Sequence, residues 1–183
     1  GAWYAIDAAI DSAYFRRRGE VMIRKEVLKS GHQKRVESFM RKAGQGVPDA
    51  VTIPDGETRV LRAKLIMEEA METVKALGVV LYCDGDGSVD LLYADLGFSD
   101  KGVEHVDVPE VVDGCCDIKV VTTGTLSAFG VADDPCQIEV DNANLRKFAE
   151  GGYRREDGKW IKPADWRPPN WVRILGEQGY LIK

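Results

Sequence analysis

The chain has 183 residues, 44% of them hydrophobic and 30% charged, with a formal net charge of −5. These proportions fill one core and cover its surface, which excludes a mainly unstructured chain. No block of like charges exceeds Arg16-Arg17-Arg18, which argues against nucleic-acid binding, and no apolar run approaches the roughly 20 residues of a membrane helix, which predicts a cytoplasmic protein.

Residues 3–18 read as a helix, with Ile6, Ala9, Ile10, Ala13 and Tyr14 at three- and four-residue spacing and a stop near Gly19. A second helical stretch, 21–43, is interrupted at Ser30 and Gly31 and ends at Gly44, with Val36, Phe39 and Met40 as its apolar side. Pro48 and Pro54 punctuate the loop 45–56. Strong helix formers fill 57–77, and Gly78 closes that helix. The texture then changes: 79–83 and 89–93 are β-prone and flank Asp84-Gly85-Asp86-Gly87, the pattern of a hairpin or an irregular excursion.

Asp107, with Glu110 three residues on and Pro109 between them, opens a helix that runs to Gly130. Asp133 or Asp134 before Pro135 starts another, ending near Gly151. In the tail, Asp157-Gly158 marks a turn between Arg155 and Lys162, and a proline-rich run follows over 166–171. The expected fold class is all-α: an antiparallel four-helix-bundle core with a short β-hairpin and an irregular C-terminal arm. Residues 1–31 are expected as an N-terminal helical extension and 32–183 as the main domain, compact as a whole.

The four cysteines, Cys83, Cys115, Cys116 and Cys136, lack zinc-type spacing, and a chain of this length needs no disulfide, so buried free thiols are expected. His32 and His105 are the only histidines, and neither stands at helical spacing from another ligand. Carboxylates must therefore hold any metal.

The helix 57–77 carries Glu68, Glu69 and Glu72. At about 100° per residue, Glu68 shares a stripe with Lys64 and Lys75, which fits a solvated face as well as a site. Glu69 and Glu72 interrupt an apolar side made with Leu61, Leu65 and Ala76, while Val60, Met67, Met71 and Val74 form a second apolar face behind them. On the next long helix Glu110, Asp113 and Asp117 fall within about 60° of one another, on a stripe that continues as Val120, Val121, Gly124 and Ala128. Carboxylates thus take over what reads as an inward face, at a cost that a divalent cation would relieve. For Glu110 and Asp113 the competing explanation is a first-turn position favoured by the helix dipole. All-oxygen ligation selects Mg²⁺ or Mn²⁺, ions that commonly serve phosphate esters. Asn144 and Lys147, three apart on the following helix, suit a sugar or phosphate, with Asp141 nearby as a further ligand; a plain surface lysine is the alternative. A basic tail that includes Arg155 and Lys162 either closes over phosphates or forms a solvated hairpin.

Glu68-Glu69-x-x-Glu72, followed by an acid pair on a later helix, resembles the signature of the MazG-like, all-α nucleoside triphosphate pyrophosphohydrolases. Segments 39–45, 61–65, 112–117, 144–148 and 155–169 are similar to the branch called MazG-like or Cof-like, in the same order, so the resemblance spans about 36–170. It implies a four-helix bundle assembled as a homodimer or homotetramer, two or more Mg²⁺ or Mn²⁺ ions, and cleavage of a nucleoside triphosphate between the α and β phosphates with release of pyrophosphate. Carried over, Glu69, Glu72 and Asp117 are metal ligands, Glu68 is a ligand or positions water, and Asn144 and Lys147 contact the nucleotide. The usual pattern would put the partner of Asp117 at position 114, which here is Gly114. Either Asp113 or Glu110 must fill that role, and both registers stay open. Residues 1–31 and 79–105 match no part of the family.

Compact phage enzymes of the MazZ type, which cleave dGTP, resemble the chain in size and in the spacing of Asp113 and Asp117. They imply a purine deoxynucleotide, dGTP first. Reading guanine needs an acceptor for N1 and N2 and a donor for O6, roles open to backbone groups or to residues such as Gln45, Asp86 and Asp95, which no spacing selects. The alternatives are a house-cleaning pyrophosphatase for dUTP or dCTP, hydrolysis of phosphoribosyl-ATP, and a non-catalytic nucleotide-binding helical module.

Overall fold

The structure, a computed structural model, describes residues 14–17, 20–23, 28–83 and 96–180. They are mostly helical, in the expected all-α class, with three two-stranded antiparallel sheets among them. No described helix is long and apolar enough to cross a membrane. The chain divides into two compact units, Gly1–Ile53 with Leu126–Lys183, and Pro54–Thr125.

In the first unit, strands β1 (Tyr14–Arg17) and β2 (Glu20–Ile23) pair antiparallel, Tyr14 opposite Ile23 and Arg17 opposite Glu20. This overturns the helical reading of the ends of 3–18 and the start of 21–43. Tyr14, Phe15, Val21 and Ile23 are β-prone, and pairing with each other satisfies both segments. The rest of the helix expected at 3–18 lies outside the described residues.

Helix α1 (Gly31–Lys42) begins where Ser30 Oγ accepts the Gln33 amide at 3.0 Å. The break at Ser30 is therefore a cap, and the Ser30 amide in turn donates to Asp133 at 2.8 Å. Gln33 is fully buried: its side-chain amide donates to Ser127 Oγ and the Val131 carbonyl at 3.0 and 2.8 Å, and its Oε1 accepts the Asp133 amide at 2.9 Å. One side chain thereby joins three segments of the unit. Val36 and Met40, four apart on one helical face, are buried, and enclosing Met40 stabilises by about 1.5–3 kcal/mol.

In the second unit, α2 (Gly56–Ala76) starts at Asp55, whose carboxylate accepts the Thr58 amide at 2.7 Å. It stops at Gly78, where φ is 70° and a Cβ would lie 3.2 Å from the His105 carbonyl carbon. Strand β3 (Val79–Cys83) follows and pairs with β4 (Leu96–Asp100), Cys83 opposite Leu96. The partner strand is thus 96–100; the expected strand at 89–93 and the turn at 84–87 lie outside the described residues. After a short 3₁₀ turn, Val103–His105, the Asp107 amide donates to the Ala76 carbonyl at 2.9 Å and its carboxylate accepts the Glu110 amide at 3.2 Å. That cap opens α3 (Val108–Ala128), whose residues from Leu126 onward belong to the first unit.

The first unit continues with α4 (Asp133–Leu145), a 3₁₀ turn (Arg146–Phe148), and the short hairpin of β5 (Tyr153–Arg154) and β6 (Trp160–Ile161) around Asp157-Gly158, as the turn residues predict. The arm is not wholly irregular. Helix α5 (Trp171–Glu177) starts at Asn170, whose side chain accepts the Arg173 amide at 3.1 Å. Buried Gln178 then anchors it, accepting the Ala132 amide at 2.7 Å and donating to the Ala132 carbonyl at 3.2 Å. The proline-rich run 166–171 disguised the Asn170 cap and the first residue of this helix.

Candidate active site

Three links fix α2 against α3. The Asp107 amide reaches Ala76 at the end of α2, Gly114 faces Thr73, and Glu69 lies within electrostatic reach of Asp117. Positions fall along α2 as they rise along α3, so the helices are antiparallel. Thr73, buried, donates its hydroxyl to the Glu69 carbonyl at 2.7 Å and presents its Oγ1 and Cβ toward Gly114. With no side chain at 114, the two backbones approach closely, and the turns on either side carry the acids toward each other.

Glu68, Glu69 and Glu72 from α2 and Asp113 and Asp117 from α3 converge in the second unit. The Glu69 carboxyl is held above the usual range, first by desolvation and then by the negative charges of Asp117, Glu72, Glu68 and Asp113. Asp113 thus stands in the cluster around Glu69. Glu110 sits at the exposed first turn, where its amide meets the Asp107 cap, the setting that the dipole explanation foresaw.

One expectation is corrected. The carboxylates do not occupy a buried face: Glu68, Glu72, Glu110 and Asp113 are exposed, and Glu69 and Asp117 are half-buried. The stripe turns inward only beyond them, where Val121, Gly124 and Ala128 are buried. The second apolar face of α2 is also open, with Val60, Met67 and Met71 each more than half exposed. Partial desolvation of Glu69, followed by repulsion from the neighbouring acids, sets the electrostatics here. Among the described residues, no three His, Cys, Asp or Glu side chains stand close enough to hold an ion as they are. Cys115 and Cys116 are exposed rather than buried, Cys136 is half-buried, and all three are free.

The six residues expected at the nucleotide all belong to the first unit. Lys147 Nζ donates to Asn144 Oδ1 at 2.7 Å, so those two form one polar pair at the end of α4. Asp141 accepts from Gln137 at 2.9 Å. Arg155 pairs with Asp157 at 2.9 Å in the hairpin turn, and the Lys162 ammonium sits 3.8 Å over the Trp166 ring. The backbone amide of half-buried Gln45 donates to the Met40 carbonyl at 2.9 Å. Asp86 and Asp95 lie outside the described residues. Sequence reasoning missed Thr73, whose signal was a threonine one turn beyond Glu69 in a helix otherwise rich in strong helix formers.

The sequence model of the family described as phosphoribosyl-ATP pyrophosphohydrolase matches residues 36–144, more than half of the chain. The matched stretch runs from within α1 into α4 and includes every acid of the cluster. Among curated proteins, none matches the chain.

Proposed function

The chain belongs to the phosphoribosyl-ATP pyrophosphohydrolase family and is an enzyme that hydrolyses a nucleotide pyrophosphate bond, and we propose that its substrate is a purine nucleoside triphosphate, dGTP first, cleaved with Mg²⁺ or Mn²⁺ to the monophosphate and pyrophosphate. The observation that carries this reading is the raised Glu69 carboxyl, surrounded by four further acids from two helices. A donor set of carboxylates without histidine suits hard cations, and a cation would relieve the repulsion that acts on Glu69.

Bound there, such ions supply charge neutralisation and a lowered pKa for water. Glu69, Glu72 and Asp117 would hold them, with Asp113 rather than Glu110 completing the set. Ligation requires Glu69 to be deprotonated, so loading releases a proton in the range where Glu69 titrates. Glu68, exposed one residue before Glu69, would orient the attacking water. Asn144 and Lys147 offer a hydrogen-bonding group and a positive charge, suited to a sugar hydroxyl and a phosphate. Assembly as a homodimer or homotetramer is part of this reading: Val60, Met67 and Met71 expose apolar area on α2 that a second copy would cover. The preference for dGTP rests on the resemblance to the compact phage enzymes.

A second reading has specific support, because the matching family is described by phosphoribosyl-ATP. The bond class and the acids are the same; only the substrate differs. The test is a panel of dGTP, dATP, dCTP, dTTP, dUTP and phosphoribosyl-ATP with product identification, in Mg²⁺ and in chelator. Pyrophosphate and dGMP, formed only with metal and fastest from dGTP, is the expected result. Orthophosphate with a nucleoside diphosphate, or full activity in chelator, overturns the mechanism. Phosphoribosyl-ATP consumed first establishes the second reading, and a pyrimidine consumed first refutes the purine assignment.

A further inference from the structure

In the first unit, the end of α4, the arm over 165–170 and α5 line an open cleft of about 810 Å³. That volume lies within the roughly 300–1,000 Å³ of small-molecule sites. At its floor is Glu139, 8% exposed, whose carboxylate accepts the Asn170 amide at 3.0 Å and a guanidinium from each side, Arg173 at 2.9 Å and Arg146 at 3.4 Å. One buried carboxylate thus fixes two arginines from different elements, each left about half exposed.

The charges do not cancel inside the cleft. Glu139 is shared between two guanidiniums, and although Arg173 has a second partner in Glu177 at 3.0 Å, Arg146 has only the Arg167 carbonyl beside it, at 3.4 Å. Arg167 brings a third guanidinium, exposed and with no side-chain partner among the described residues, and Asp165 is the one other acid that lines the cleft. Next to them Trp171, 39% exposed, and the Pro168-Pro169 pair form an apolar ledge.

Guanidinium forks match phosphate oxygens two at a time. An indole face accepts a planar ring by stacking, whatever the ring's identity. Donors for a phosphate beside a surface for a heteroaromatic ring are complementary to the two ends of a nucleotide. We propose that this cleft is a nucleoside monophosphate site, with the phosphate on Arg167 and the open edge of Arg146 and the base against Trp171. It uses no carboxylate ligand and no cation, so it stands independently of the reaction assigned to the acid cluster. Two sources share its chemistry, the product of the enzyme's own reaction and a separate nucleotide that acts as effector.

The experiment is calorimetric titration of the full chain in chelator with dGMP, AMP, UMP and inorganic phosphate. At least one of the nucleotides should bind more tightly than inorganic phosphate. Arg167→Ala, which removes a side chain that bonds nothing in the fold, should weaken it by roughly tenfold or more. Trp171→Ala should reduce nucleotide affinity toward that of phosphate, and Glu69→Gln should leave binding unchanged. Tightest binding of dGMP marks a product site, and tightest binding of another nucleotide marks an effector. Absence of binding to the wild type, phosphate bound as tightly as every nucleotide, an Arg167→Ala variant that binds like the wild type, or loss of binding in Glu69→Gln would each overturn the proposal.

Discussion

Gly114 on α3 faces Thr73 on α2 so closely that a Cβ at position 114 would lie 3.1 Å from Thr73 Cβ and 3.3 Å from Thr73 Cα, and closer still to its hydroxyl. The contact leaves no room for a side chain at position 114, where the usual spacing would put an acid. A carboxylate at 114 would point into the helix-helix seam, whereas exposed Asp113, one residue back, is among the acids whose charge acts on Glu69.

Gly114→Ala should therefore destabilise the second unit by roughly 1–3 kcal/mol, the usual cost of overpacking. A lower melting temperature would show it. Adding Thr73→Ala should recover part of the loss by removing the hydroxyl, and Gly114→Asp should cost more than Gly114→Ala while gaining no metal affinity. A Gly114→Ala protein that melts like the wild type would contradict the close approach.

Glu69→Gln, Glu72→Gln and Asp117→Asn should each lower turnover by roughly a hundredfold or more, with circular dichroism unchanged. Asp113→Asn should fall with them, and Glu110→Gln should retain most activity because its place is the exposed first turn. Titration of Mg²⁺ or Mn²⁺ into Asp113→Asn and Glu110→Gln separates the two: only the former should bind metal more weakly.

Without metal, the raised Glu69 carboxyl works against stability as pH rises. Its folded value lies above its unfolded one, so its stabilising contribution is full in acid and is lost as pH climbs through the folded value. In chelator at neutral pH, Glu69→Gln should melt at or above the wild-type temperature, and Mg²⁺ should reverse the order. Wild type the more stable in chelator would count against the acid cluster.

Glu139 has the opposite sign. The Asn170 amide, then Arg173 and Arg146, hold its carboxyl below the ordinary value of 4.5 against the opposing effect of burial. Its contribution is present above that value and is lost as pH falls through the lower, folded one. Glu139→Gln should cost about 2 kcal/mol at neutral pH, with the gap to wild type closing in acid, measured by thermal melts across pH.

Gln33→Leu tests the first unit. It removes three hydrogen bonds at a fully buried site and leaves Ser127, Val131 and Asp133 without that partner. A loss of roughly 2–4 kcal/mol is expected, read as a lower midpoint in urea.

The amino-acid sequence by itself determined the three long helices α2, α3 and α4, because the information that starts and stops a helix is local. Asp55 and Asp107 cap the first turns from three residues away, and Gly78 ends α2 with a φ that other residues rarely adopt. The acids were legible for the same reason, since helical spacing alone puts Glu69 with Glu72 and Asp113 with Asp117. What only the tertiary structure decided depends on partners distant in the chain. β-prone residues at 14–17 and 20–23 become strands by pairing with each other, and 79–83 pairs with 96–100, a choice that propensity cannot make among several β-prone segments. Whether an acid stripe is buried or open depends on what packs over it, so periodicity found the stripe on α3 but misjudged its exposure. That Asp113 is among the acids whose charge acts on Glu69 likewise depends on the packing of α3 on α2, which brings Gly114 against Thr73.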